Sequence, residues 1–561
     1  MTNEIGTIRK GWKGRIRVAL VYPNRYAVGM SNLGFQAVYQ LLNDIDHVVC
    51  ERAFLNPRDS RIRTIESGRQ LPDFDIIAFS VSFENDYPNL LTILGNANLP
   101  LQSRDRGETH PLIIAGGVAC FLNPEPIASF VDAFLIGEAE ALISRFTDVF
   151  YDISTDPHTS RENDLMTLAR NVPGTYVPQF YESTWHEDGT LRSVDPTADV
   201  PAKIERVFLK NLSQTPTHSA LLTPDTTFAD TFLIEVSRGC PHGCRFCSAG
   251  YVYRPPRFRP VSLLAECAET GVSQTNRIGL VGAAVSDLPS IGTLCAQIQP
   301  EENRISFSSL RADALTPELV SVLRQSRVKT ATIAPDAGSE RMRRVINKGI
   351  TEDHILKATE LLVSGGIPNL KLYFMIGLPT ETPDDVQAIV TLCEKIKQSF
   401  LDSSRAQKRI GEITVSLNPF VPKAVTPFQW AAMDDVRTLK KKIQQVRKGL
   451  KHVPNLRVYA EAPKQAYVQA LLSRGDRRVS EVLLLVHENR GNWPQTLKGS
   501  PVNTDQYVYR ERALDEVLPW DIIDQRVHKD FLWKEYQKAI QGRISAQCPM
   551  KSCDRCGACE N

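Results

Sequence analysis

The sequence predicts an α/β protein with an amino-terminal doubly wound sheet, a partial strand–helix barrel and a mainly helical carboxy-terminal region. Three observations predict this. Short apolar runs alternate with helix-spaced segments in two separate series, one before residue 150 and one after residue 230, and such alternation marks parallel sheets. Beyond residue 425 the helical period takes over. The chain has 561 residues, more than one ordinary core holds, and its 42% apolar and 23% charged content is that of a globular protein.

The first series occupies residues 1–150. RIRVALVYP is an apolar run that breaks at Pro23, and AVYQLLNDI follows with helical spacing. DFDIIAFSVSF, PLIIAGG and VDAFLIGEAE are three further buried runs, so this region reads as a Rossmann-like sheet. Gly116, Gly117 and Gly137 stand just beyond strand ends, where such folds bind ligands. A plain turn role explains those glycines equally well. Residues 151–228 have weak periodicity and more Thr, Ser, Pro and Asp, and read as a linker region.

The second series occupies residues 229–425. TFLIEVS leads into a cysteine loop, and RIGLVG, RISFSS, KTATIA, NLKLYFMIG and EITVSL follow as strands, mostly separated by helical segments. Six such units fit an open or partial barrel, whose active site belongs at the carboxyl ends of the strands. In residues 426–561, VRTLKKKIQQVRKGLK reads as a solvated basic helix, with RNA contact as the alternative. LPWDIIDQRVHKDFLWKEYQKAIQG reads as a packed helix that delivers a final cysteine cluster.

The net charge of +2 gives no support to a nucleic-acid substrate. The polar, basic opening residues do not form a signal peptide, and no apolar run reaches 18 residues, so no membrane insertion is expected. A reducing cytoplasm follows, where clustered cysteines point to metals rather than disulfides. Cys50, Cys120, Cys267, Cys295 and Cys393 are isolated and read as small buried hydrophobes.

EVSRGCPHGCRFCSAG places Cys240, Cys244 and Cys247 in one loop directly after a strand. Three thiolates ligate three irons of a cubane and leave the fourth iron open to a chelating substrate. A zinc site would recruit a fourth ligand, for which His242 is the rival candidate. The C-x3-C-x2-C pattern, with Phe246 before the last cysteine, resembles the signature of the radical S-adenosylmethionine (SAM) superfamily. The resemblance implies a radical SAM partial (β/α)6 TIM barrel holding a [4Fe-4S] cluster. SAM would chelate the open iron and be reductively cleaved to methionine and a 5′-deoxyadenosyl radical. A low-potential donor such as flavodoxin or ferredoxin would supply the electron.

The same resemblance carries to further positions. The main chain at Phe246 would meet the SAM adenine, and Gly282 in LVGAAVSD would pack on its methionine end. Ser309 and Arg311 in SSLRAD, and Ser339, Glu340 and Arg341 in APDAGSERMRR, would bond its carboxylate, amino or ribose groups. Leu378 lies in GLPTET, the turn behind the adenine.

YPNRYAVGMSNLG, IAGG, IGEAE, NPFVPKAVTPFQW, SRGDRR and the cysteine tail extend the likeness to an uncharacterised bacterial group of radical SAM proteins. These have a cobalamin-binding-like amino domain and a carboxy-terminal cysteine cluster. Ser80, Ser82, Gly116, Gly117 and Glu138 stand where a corrin would lie. The Asp-x-His-x-x-Gly cobalamin motif is absent: the loop after the first strand contains no histidine. The expected outcome is cobalamin-dependent methylation of an unidentified substrate. The alternatives are a cobalamin-free radical SAM reaction (rearrangement, dehydrogenation or coupling), an RNA-modifying enzyme, and a domain retained for docking. Methylthiotransferases are disfavoured because only Cys50 and Cys120 lie in the amino domain.

Cys548, Cys553, Cys556 and Cys559 form the tail cluster. Four thiols so closely spaced call for a second metal centre, with [4Fe-4S] favoured and zinc the alternative.

Overall fold

The computed structural model describes residues 3–56, 59–155, 160–298, 302–308, 310–405, 410–550 and 553–559. Strands β1 (Ile16–Tyr22), β2 (Val48–Phe54), β3 (Ile76–Ser80), β4 (Leu112–Gly116) and β5 (Ala133–Leu135) are parallel. β6 (Thr175–Tyr176) closes the sheet antiparallel to β5, giving the order β2-β1-β3-β4-β5-β6. The β1 side and the β3 side wind in opposite directions, so the carboxyl ends of β1 and β3 flank the crevice of this fold. Helices Leu33–Asp44 and Ala139–Ser154 pack together against the sheet.

Elements beyond residue 150 join this sheet. Helix Arg161–Asn171 packs on helix Ala139–Ser154, and β6 pairs with β5, so both belong to the first unit. A two-residue strand has too little period to be read from sequence. The remaining linker holds the hairpin β7 (Tyr181–Trp185) and β8 (Leu191–Pro196), then β9 (Ile204–Glu205).

The expected six barrel strands are β10 (Phe232–Glu235), β13 (Arg277–Val281), β14 (Arg304–Phe307), β15 (Thr330–Asp336), β16 (Asn369–Ile376) and β17 (Ile413–Pro419). β11 (Ser237–Arg238) and β12 (Arg257–Phe258) pair antiparallel and close the neck of the cysteine loop. A seventh barrel strand, β18 (Leu456–Ala460), pairs parallel with β17, so the barrel continues past the expected boundary at 425. All five β18 residues are partly or fully exposed, which is why LRVYA lacks the apolar signal of its neighbours. The ladders form two sheets, β10-β13-β14 and β15-β16-β17-β18.

The carboxy-terminal helices bind both units. Helix Val479–Glu488 packs on helix Tyr87–Asn96, and β19 (Ile523–Asp524) pairs with β9. The SRGDRR segment is the knot: Asn123 donates to the carbonyls of Ser473 and Gly475, and Arg477 bonds Glu125 and the Tyr176 hydroxyl. One continuous core runs through the amino sheet, β15–β17 and these helices, while β10, β13 and β14 contribute to a separate apolar cluster. Helix Val436–Leu450 buries Leu439, Ile443, Val446 and Leu450 and turns most of its basic residues outward. Among the described residues, no helix is long and apolar enough to cross a membrane.

Candidate active site

The cysteine loop is shaped by glycine and pinned by arginine. Gly239 has φ +80°, and a Cβ there would lie 2.7 Å from the Tyr253 carbonyl, so only glycine lets the loop leave β11. Inside the loop, Cys247 N–H donates to Cys244 O, and the Tyr251 hydroxyl donates to Gly243 O. Arg245, fully buried between two ligand positions, donates to the carbonyls of Arg344 and Val345 and to Glu535. Asn347 donates to Gly243 O. The segment after β15 therefore fixes the loop from across the barrel.

Burial pushes the Cys244 thiol up to about 12, against the pull of nearby Lys348, and also raises Cys240 and Cys247. Metal must therefore displace protons from all three. His242 directs Nε2 at Asp287 Oδ2, 2.6 Å away. Among the described residues, no three His, Cys, Asp or Glu side chains converge on a single-ion site. With His242, the rival fourth ligand of a zinc, held by Asp287, the loop offers a metal its three thiols alone. The three thiols on one glycine-hinged loop thus fit an iron–sulfur cubane with an open iron.

Lys348 and Asp336 form a buried ion pair beside Cys244 and Cys247. Arg311 bonds Asp313 through two nitrogens and reaches the Lys348 carbonyl. Gly282 follows β13, where a Cβ would sit 2.8 Å from Ser237 Oγ. Phe246 is partly buried, Leu378 is buried behind β16, and Ser309 lies outside the described residues. The Ser339, Glu340 and Arg341 side chains find partners elsewhere. Ser339 caps helix Glu340–Val345 and donates to Asp385, Arg341 also pairs with Asp385, and Glu340 pairs with Arg343. Ser339 and Glu340 line a surface groove with Asp384, Gln387 and Lys395. Lys348 and Asn347 were not singled out from sequence, and only their place beside a glycine in VINKG hinted at a turn toward the site.

The amino-domain positions come together. Ser80, Ser82, Gly116, Gly117 and Glu138 all line one cavity of about 490 Å3. Gly117 has φ +102°, and a Cβ would strike the Val81 carbonyl at 2.5 Å. The inner end is an apolar slot between the sheet, at Leu20, Ala78 and Ile114, and the helices, at Leu42 and Phe146. The outer end reaches Gly239, Ala249, Gly282 and Ala283 on the barrel. Glu138 lies in the wall, but its carboxylate accepts from Arg257, Arg238 and the Leu209 N–H. Arg238 also holds Glu140 and Glu235. Burial alone would raise Glu138, yet these arginines outweigh it and leave the carboxyl below its ordinary value.

Comparison with known proteins gives the family. Residues 234–393 match the radical SAM superfamily model, and residues 34–178 match the model for the amino-terminal region of radical SAM proteins. An uncharacterised protein of Methanocaldococcus jannaschii is 32% identical over 472 residues, covering 83% of this chain and 90% of its own. The chain belongs to the radical SAM superfamily. The tRNA-2-methylthio-N(6)-dimethylallyladenosine synthase of Sorangium cellulosum is 25% identical over 225 residues, covering 35% of this chain and 45% of that protein. Among solved structures, the cobalamin-dependent SAM radical enzyme OxsB, with aqua-cobalamin and SAM bound, aligns over 94% of this chain and 79% of its own. The TM-score is 0.41 and the identity 13%.

Proposed function

We propose that this protein is a cobalamin-dependent radical SAM methyltransferase. The observation that carries the reading is the single cavity joining the strand-end crevice of the amino sheet to the rim of the cysteine loop. Its volume suits a cofactor site, and its walls are mainly apolar with a few polar groups at the mouth. When bound, the cluster would supply the electron that cleaves SAM, and a corrinoid would supply the methyl-transfer step. The protein's own part is positional. Gly117 lets the turn after β4 pack on the Val81 carbonyl, Leu20, Ala78 and Ile114 supply an apolar wall, and Gly282 lets the barrel side pack closely on Ser237. Lys348, held by Asp336, keeps a positive charge beside the cysteine loop, where the SAM carboxylate belongs. The clustered thiols suit a reducing cytoplasm and a low-potential donor of the flavodoxin or ferredoxin class.

One observation favours a second reading, in which the amino domain only docks on the barrel: Glu138 is held by barrel arginines rather than facing the cavity unpaired. Retention of corrin separates the two. Anaerobic protein incubated with hydroxocobalamin and freed of excess is expected to keep up to one corrin per chain. Its cob(II)alamin EPR should be base-off without nitrogen splitting, because no histidine is among the described residues lining the cavity. Nitrogen coupling from a protein histidine would refute this account of the lower face. Failure to retain corrin would leave the docking reading.

A further inference from the structure

We propose that the carboxy-terminal cysteines hold a second iron–sulfur cluster that relays electrons to the three-cysteine loop. The inference uses the radical SAM assignment only for the electron's destination. Cys553, Cys556 and Cys559 repeat the C-x2-C-x2-C run by which ferredoxins hold a cubane, and Cys548 supplies the fourth thiol. The thiols lie close enough that Cys553, Cys556 and Cys548 each act on Cys559 electrostatically.

The tail is docked on the first loop by several independent contacts. Cys548 N–H donates to the carbonyl of Pro241, the neighbour of Cys240, at 2.8 Å. Ser545 N–H donates to Asn347, the residue that also holds Gly243. Arg245 donates to the Arg543 carbonyl and the Ser545 hydroxyl. On the other side, His528 N–H donates to Cys556 O, and Gly557, with φ +87°, fits against the His528 ring so closely that a Cβ would lie 2.5 Å from it.

Arg254 joins the two centres. Its guanidinium lies over the rings of Tyr251 and Phe531, donates to Gly250 O and lies near the Cys556 thiol. A buried cation placed there offsets the negative charge of a four-thiolate cluster and favours its reduced form. Cys553 and Cys559 are partly exposed, with exposed Asp554 and Arg555 following Cys553. The electron therefore enters on that side. The tail cluster accepts one electron from a reduced flavodoxin- or ferredoxin-class protein, which is oxidised by one electron. The electron then passes across the Cys548–Pro241 contact toward the loop, and no atoms are transferred.

The test uses the full chain, reconstituted anaerobically. Wild type is expected to hold two [4Fe-4S] clusters whose EPR signals broaden each other when both are reduced. The Cys240→Ala, Cys244→Ala, Cys247→Ala variant should keep the tail signal alone, and the Cys553→Ala, Cys556→Ala variant the first signal alone. In the tail variant, 5′-deoxyadenosine formation driven by reduced flavodoxin should be lost, while dithionite restores it. Zinc in the wild-type tail, or flavodoxin-driven turnover unchanged in the tail variant, overturns the relay. Should the tail variant lose the first signal as well, Arg555→Glu keeps every cysteine, changes only an exposed charge beside Cys556, and is expected to slow only flavodoxin-driven turnover; a slowing with dithionite as well overturns the relay. Absence of SAM cleavage by wild type under dithionite would instead fault the radical SAM activity itself.

Discussion

Asp336 ends β15 with φ +62°, a backbone conformation that non-glycine residues adopt at a cost of about 1–3 kcal/mol, and its carboxylate holds Lys348 beside Cys244. Such strain persists where the surroundings over-determine it. Lys348→Met is therefore expected to fold and to keep its iron, yet to bind SAM about tenfold more weakly, ~1.4 kcal/mol. Arg341→Ala should leave SAM affinity unchanged, because Arg341 is held by Asp385 and Thr380. Equilibrium dialysis against SAM with both variants decides between the two cations; a loss confined to Arg341→Ala would reverse the assignment. At this scale the sequence was legible where ligands are local. Cys240, Cys244 and Cys247 announce themselves by spacing within one loop. Lys348 does not, since it lies about a hundred positions away and reaches the loop only because β15 returns to the barrel. Nor can a local motif tell which partners a helix start takes up, and Ser339, Glu340 and Arg341 find theirs in Asp385 and Arg343.

Elements meet through the arginine–glutamate network between β11, β12 and the start of helix Ala139–Ser154. Glu138, Arg238 and Arg257 are almost wholly buried, so removing one charge leaves others uncompensated, typically at about 3–5 kcal/mol. Glu138→Gln is expected near the lower figure, because Arg238 keeps Glu140 and Glu235. The folded Glu138 pKa lies below its ordinary 4.5, so its contribution is full above that value and is lost as pH falls through the depressed one. Chemical denaturation at neutral pH and again below the depressed pKa should show a penalty for Glu138→Gln that shrinks on acidification; a pH-independent penalty would contradict the charge argument. This joint was invisible in the sequence, because Glu138 belongs to IGEAE and its arginines to a segment a hundred residues later. Short elements escaped for a related reason. β6 and β18 take their place from partners β5 and β17, not from any apolar period of their own.

Across the whole molecule, the alternation of strands and helices gave both α/β units from the sequence, because sheets buried on two faces need continuous apolar runs. What sequence could not convey was how the units share their interior. Tyr251 and Val252, at the end of the cysteine loop, belong to the large core, whereas β13 and β14, which carry Gly282 and lead into Arg311, pack into the smaller cluster.

That division sets two clocks. Amide hydrogen exchange is expected to be slowest in β1, β3, β16 and β17, through global unfolding alone, and faster in β13 and β14, through a smaller opening. Mass spectrometry of exchanged peptides would show it, and equal protection across the seam between β14 and β15 would deny it. If that slab opened while the loop beside it stayed closed, a cofactor would pass Gly282 without loosening the thiols that ligate the cluster.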